Sequence, residues 1–78
     1  MNIIKAAENT RNQIGAISSN RDSEGCTLEH AAWMLDGIIA GYIQHEKAHR
    51  WLGYAQALMV LQLEVMDLRE MKSINKNA

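Results

Sequence analysis

The feature that most constrains this chain is a stretch near its carboxyl end, residues 45–72, that is apolar around most of a helical circumference. The apolar residues along one side recur at heptad-like spacing and are Tyr54, Leu58, Leu61, Val65 and Leu68. Those over much of the remaining circumference are Leu52, Ala55, Met59, Leu63 and Met66. A helix that is apolar on two sides has to be buried on two sides. The stretch therefore needs cover from more than one neighbouring helix.

The rest of the sequence also favours helices. It has no proline and no phenylalanine, and it is rich in alanine, leucine, methionine and glutamine, which have high helix propensity. No segment shows the sustained period-two alternation that is typical of strands. Between residue 45 and Ser73 the strongest interruption is Gly53, which costs about 1 kcal/mol relative to alanine. The sequence thus predicts an all-α fold with one long C-terminal helix over residues 45–72.

A second helix is predicted over residues 27–40. Thr27 is a good N-cap because its hydroxyl can accept a hydrogen bond from the first free backbone amides, and Glu29 places negative charge at the positive end of the helix dipole. Gly41 suits the left-handed conformation that commonly ends a helix. Folded back on the long helix, this element would make a helical hairpin.

A short N-terminal helix is predicted over residues 1–17. Its buried side is expected to be a stripe spaced by three and four residues, namely Ile3, Ala7, Thr10, Ile14 and Ile17. Residues 18–26 are rich in serine, asparagine, aspartate and glycine, which compete with helix formation, and they are interpreted as a linker. Residues 1–78 are expected to form a single helical domain.

The predicted hairpin leaves part of the long helix uncovered. Counted outward from the turn, its register brings Leu28 close to Leu58, where the second helix ends, so residues 60–71 lack a partner. A chain of 78 residues buries only about 60% of the surface that its unfolded form exposes, and the lone Cys26 cannot form an internal disulfide. The sequence therefore predicts a homo-oligomeric helical bundle. The residues predicted for its subunit interface are Leu58, Leu61, Val65, Met66 and Leu68.

Charge and hydropathy exclude several classes of protein. Eight Lys and Arg against nine Asp and Glu give a formal net charge of −1, which is poor for the phosphate neutralisation that dominates nucleic-acid affinity. The first residues contain no basic region followed by a long apolar run, and no uninterrupted apolar run of about 18 residues occurs. The expected location is the cytoplasm, with no membrane contact.

One short motif has the form of a metal site. His45, Glu46 and His49 fit the pattern H-E-x-x-H, which places two histidines on one helical turn with a glutamate as base beside zinc. Glu64 and Glu70 are the candidates for a third ligand, but at about 1.5 Å of rise per residue they are too far along the helix. We therefore expect no metal, no cofactor and no catalytic residues, with a zinc-dependent hydrolase through His45 and His49 as an alternative.

The first alternative, ahead of the zinc-dependent hydrolase, is nucleic-acid binding. Trp51 or Tyr54 offers a ring on which a base could stack, and the basic side chains that would form an edge beside it are Lys47, His49, Arg50, Lys72 and Lys76. Against this, Glu46, Glu29 and Asp36 are expected nearby in the hairpin and would pair with these charges. Binding to another protein is therefore favoured.

The run EKAHRWLGYAQ at residues 46–56, with HAAWML at residues 30–35, resembles small hypothetical proteins encoded in the early regions of tailed bacteriophages and prophages. The resemblance covers about residues 26–62 and implies a helix, a glycine-containing turn and a second helix. It also implies an accessory factor, without an established activity, that acts in the infected bacterium by binding a host or phage protein. In that family a glycine often stands at the position of His45.

The residues that the resemblance highlights lie in the turn region and are Glu46, Lys47, His49, Arg50 and Trp51. The resemblance assigns them no role, and a structural role is expected for two of them. Glu46 would cap the start of the helix, and Trp51 would fix the turn against Leu35 and Ile38.

Overall fold

The structure, a computed structural model, describes residues 1–15 and 27–78, whose regular structure is entirely helical. The elements are α1 (Ile3–Ile14), α2 (Leu28–Ile39), α3 (His45–Ala57), a π-helical turn (Leu58–Gln62) and α4 (Leu68–Asn77). The predicted all-α fold is confirmed. The predicted linker, together with Ile17 of the predicted first helix, lies outside the described residues.

The first helix forms where its apolar periodicity predicts it. The side-chain oxygen of Asn2 accepts a hydrogen bond from the Lys5 amide at 3.1 Å, which caps the start of α1. Gly15 follows the helix with φ 78°, in a region that favours glycine. The members of the predicted stripe that the structure describes are all buried or half-buried, namely Ile3, Ala7, Thr10 and Ile14. The periodicity thus identified the side of α1 that faces the core.

The second helix has the caps that the sequence predicts. The Thr27 hydroxyl oxygen accepts a hydrogen bond from the His30 amide at 3.2 Å. Gly41 has φ 82°. Its amide donates to the Ile38 carbonyl at 3.0 Å, and the Tyr42 amide donates to the Gly37 carbonyl at 3.0 Å. These two bonds around a left-handed residue form a Schellman motif, which satisfies carbonyls that the helix end would leave free.

The predicted long helix over residues 45–72 is wrong. α3 ends at Ala57 and widens into the π-helical turn, in which the Leu63 amide donates to the Leu58 carbonyl at 2.9 Å. Residues 63–67 are not helical. The apolar stretch is therefore divided into two helices, and α4 takes its own place in the fold.

Glu64 turns the chain at this break. It has φ 54°, and the amide of Val65, which follows it, donates to the Met59 carbonyl at 2.9 Å. A left-handed residue at a helix end is usually glycine, because other residues pay a steric penalty there. The chain thus reverses at a position where its sequence has neither glycine nor proline.

α4 starts at its own cap and packs against α1. The Asp67 carboxylate accepts a hydrogen bond from the Glu70 amide at 2.7 Å, which satisfies a free amide of the first turn. At the other end, the Asn2 amide donates to the Ala78 carbonyl at 2.8 Å. None of the residues of α4 is fully buried, so the helix lies on the surface of the core.

The core is built around closely packed small side chains of α1 and α2. Ala6 and Ala7 of α1 and Ala31 and Ala32 of α2 have no exposed surface, and the two helices pack against each other. Small residues at a helix contact let the backbones approach. An ion pair between Arg11 Nε and Asp36 Oδ1, 3.0 Å apart, joins the same two helices. α1 is thus an integral part of the core.

Candidate functional site

Three exposed apolar side chains lie in or beside the break between the π-helical turn and α4. Leu61 is 79% exposed, Leu68 is 50% exposed and Val65 is 36% exposed. These three residues are called the break patch below. A large apolar side chain that is left in water forfeits about 1.5–3 kcal/mol that full burial would provide. The break patch is therefore a candidate for contact with another molecule.

The break also forms an open groove of about 410 Å³. Val65 and Leu68 of the break patch line it, and Val60 and Met66 contribute further apolar surface. The remaining lining residues are carboxylates, namely Glu64, Asp67 and Glu70. All three are exposed, and among the described residues none of them forms an ion pair. The groove thus combines apolar side chains with negative charge.

The structure places two of the predicted interface residues inside the chain. Leu58 is 8% exposed and Met66 is 4% exposed, and both belong to the core cluster. The break at Glu64 returns Met66 to the core instead of extending it away, whereas Leu58 precedes the break and is buried with Leu52 and Ala55 of α3 in the core cluster. The prediction that Leu58 and Met66 lie at the interface is therefore wrong, because both are core residues. Of the five predicted interface residues, the three of the break patch remain exposed.

Four of the turn-region candidates form a charged surface on α3, and the alanine between them is buried. Glu46, Lys47, His49 and Arg50 are exposed, whereas Ala48 between them has no exposed surface. The start of α3 has no side-chain cap, so the capping role expected for Glu46 is absent. The amino-terminal part of α3 thus presents acidic and basic side chains together.

Trp51 is held between two neighbours. Its ring centroid lies 5.1 Å from that of Trp33, and Lys47 Nζ lies 5.4 Å from the Trp51 centroid on α3 itself. Trp33 in turn lies 5.4 Å from the His30 ring. A cation over an indole face is an attractive contact. Trp51 is therefore a packing residue between α2 and α3.

The two histidines of the H-E-x-x-H motif do not share a helical conformation. His45 has φ 56°, so the geometry that places side chains four residues apart on one helical face does not apply to it. Within residues 1–15 and 27–78, no three His, Cys, Asp or Glu side chains lie close enough together to hold a metal ion. Cys26 lies outside the described residues.

A buried polar cluster was missed by the sequence analysis. Gln56 is 2% exposed, and its Nε2 donates to Thr10 Oγ1 at 3.0 Å and to Asn75 Oδ1 at 2.8 Å. The Asn75 Nδ2 donates back to Gln56 Oε1 at 3.0 Å. The sequence did contain a signal, because Gln56 follows Leu52 by four residues and precedes Met59 by three, which is the spacing of a core position. The cluster joins α1, α3 and α4.

Comparison of the chain with protein-family models, with curated proteins and with solved structures found no match. Its function is therefore inferred from its own residues. No helix in the part of the chain that the structure describes is long and apolar enough to cross a lipid bilayer.

Proposed function

We propose that this chain is a non-enzymatic binding protein that works as a homo-oligomer, with the break patch at its subunit interface. The observation that carries the proposal is the exposure of Leu61, Val65 and Leu68 around one break in the fold. Single exposed apolar residues are common on protein surfaces, but a contiguous exposed apolar surface is typical of an interaction site, and Val65 and Leu68 line the same groove. In the assembly, α2 and α3 would form a helical hairpin within each protomer of an oligomeric bundle.

The small size of the chain supports self-association. A domain of 78 residues has a free energy of unfolding of only about 4–12 kcal/mol at the usual 0.05–0.15 kcal/mol per residue. Covering the break patch would add about 1 kcal/mol or more for each of its side chains, depending on how completely each is buried. That gain is a sizeable fraction of the total stability, so the protein benefits from assembly.

The surface proposed to bind a second protein is the exposed, charged amino-terminal part of α3. It carries Glu46, Lys47, His49 and Arg50, which belong to the run that resembles small proteins of tailed bacteriophages and prophages. The proposal is accordingly that the protein is a phage-encoded accessory factor that binds a host or phage protein in the bacterial cytoplasm. Mixed charges that are exposed on one turn provide specificity in such contacts more than affinity.

The test of self-association is a charge placed in the break patch. Leu61→Glu puts a carboxylate at the most exposed apolar position of the patch, where it would be desolvated in the interface. We expect its mass by sedimentation equilibrium at micromolar concentration to fall to that of one chain, 8.8 kDa. The matched control is Tyr42→Glu, because Tyr42 is 86% exposed in the turn between α2 and α3.

We expect Tyr42→Glu to keep the oligomeric mass of the unmodified protein. An equal mass for Leu61→Glu and the unmodified protein would show that the break patch is not the interface. Circular dichroism of both variants confirms that the helices remain folded, which is expected because both side chains are on the surface.

A further inference from the structure

We infer that self-association exchanges α4 between two copies of the chain. In the exchanged form residues 58–67 straighten, so that α3 and α4 become one continuous helix and α4 packs against α1 of the second copy. This arrangement rests on the proposed self-association and specifies how the two copies combine. Three features of the structure support it, namely the torsion of Glu64, the contacts of α4 and the spacing of the break patch.

The turn that returns α4 to its own core is strained. Glu64 has φ 54°, and the left-handed region that glycine adopts freely carries a steric penalty for glutamate. The π-helical turn Leu58–Gln62 precedes it, and such turns occur mostly as short interruptions of α-helices. A continuous helix would give Glu64 an ordinary helical torsion, and the sequence has no proline that would prevent it. Strain in a short connection favours exchange of the element that follows it.

α4 makes contacts that a second copy reproduces. None of its residues is fully buried, and its half-buried apolar side chains pack against the core. Asn75 pairs with Gln56 of α3, and the Ala78 carbonyl accepts a hydrogen bond from the Asn2 amide. Gln56 and Asn2 both precede the break, so a second copy offers them to the incoming α4 in the same geometry. Exchange therefore replaces these contacts with identical ones.

The break patch becomes one stripe when the helix is straight. Leu61, Val65 and Leu68 follow one another by four and three residues, which is the spacing of one side of a helix. Met66, seven residues after the buried Met59, stays on the same side of the straight helix as that residue. Two straight helices related by a two-fold axis then bury the stripe of each copy against that of the other.

Straightening also removes the groove and separates its carboxylates. Glu64, Asp67 and Glu70 line one groove because the chain bends between the π-helical turn and α4. In a continuous helix, at about 100° of rotation per residue, Asp67 and Glu70 lie away from the stripe and Glu64 lies at its edge. A carboxylate at the edge stays in water, so the apolar contact between the copies does not bury it. The negative charge of the groove therefore does not oppose association in the exchanged form.

The test compares two substitutions of Glu64 that remove the same carboxylate. Glu64→Gly favours the bent chain, because glycine adopts the left-handed turn freely and is a poor helix former. Glu64→Ala favours the straight helix, because alanine keeps the steric penalty of the turn and is the best helix former. An exchanged dimer contains this position twice. We therefore expect sedimentation equilibrium to give Glu64→Gly a dissociation constant at least about thirtyfold above that of Glu64→Ala.

The matched control is the same pair of substitutions at His49, which lies within α3 and is helical in both forms. His49→Gly and His49→Ala should therefore differ in dissociation constant by less than about threefold. Circular dichroism of the unmodified protein should show more helix at high concentration than at low, because residues 63–67 become helical. If the protein dimerises but the two Glu64 variants have equal dissociation constants, the exchange is wrong and self-association through the break patch stands. If the unmodified protein is monomeric, both proposals fail.

Discussion

Two residues other than glycine have left-handed backbone torsions in the part of the chain that the structure describes. They are His45, with φ 56°, and Glu64, with φ 54°. The left-handed region costs an L-residue about 1–2 kcal/mol, because its Cβ approaches the following carbonyl oxygen. His45 begins α3 and Glu64 ends the π-helical turn, so both ends of this helical segment depend on a strained residue.

We expect His45→Gly to stabilise the fold. Glycine adopts the left-handed region without the steric penalty, and although it also gains freedom in the unfolded chain, the net change should be an increase of about 0.5–1 kcal/mol in the free energy of unfolding. The measurement is urea denaturation followed by circular dichroism.

The matched control is His49→Gly, which places glycine inside the helical part of α3. It should lower the free energy of unfolding by about 1 kcal/mol, because glycine is a poor helix former. Equal losses in both variants would show that the torsion of His45 stores no strain.

At the scale of elements, α1 and α2 were predictable because the signals that define them are local. The stripe of α1, the threonine cap of α2 and Gly41 each involve residues within a few positions of one another, and the structure contains all three. The break in the predicted long helix was missed because Glu64 has no sequence feature that marks a left-handed turn. A usable signal did follow it, since Asp67 and Glu70 have the spacing of a helix cap.

α4 is held in place by half-buried apolar residues, Met71 and Ile74, which pack against the core, and by a polar contact. None of its residues is fully buried, whereas Asn75 exchanges two hydrogen bonds with the buried Gln56. This pairing joins residues 19 positions apart. It could not be predicted from the sequence, because it depends on the chain reversal at Glu64. Gln56 and Asn75 together determine where α4 packs against the core.

We expect Asn75→Ala to lower the free energy of unfolding by about 1–3 kcal/mol, because the Gln56 amide would stay buried with part of its hydrogen bonding lost. Amide hydrogen exchange should also increase in α4 more than in α2. The control is Asn77→Ala, whose side chain is exposed and which should change the stability by less than about 0.5 kcal/mol. Equal effects of the two substitutions would contradict a role for the buried amide pair.

At the scale of the whole molecule, the sequence correctly predicted that apolar side chains near the carboxyl end stay exposed, but it overestimated how many of them do. The chain covers Leu58, Met59 and Met66 itself. The surface that remains is the break patch. The sequence could not separate these two groups, since each has members on both sides of Glu64 and the sequence does not mark the break there.

The central claim is that the exposed break patch is covered by a second copy of the chain. The most direct test is the mass of the unmodified protein by light scattering over a dilution series from high to low micromolar concentration. We predict a mass above that of one chain, 8.8 kDa, at the highest concentration, with a fall toward that value on dilution. A mass that equals one chain throughout the series would contradict the account.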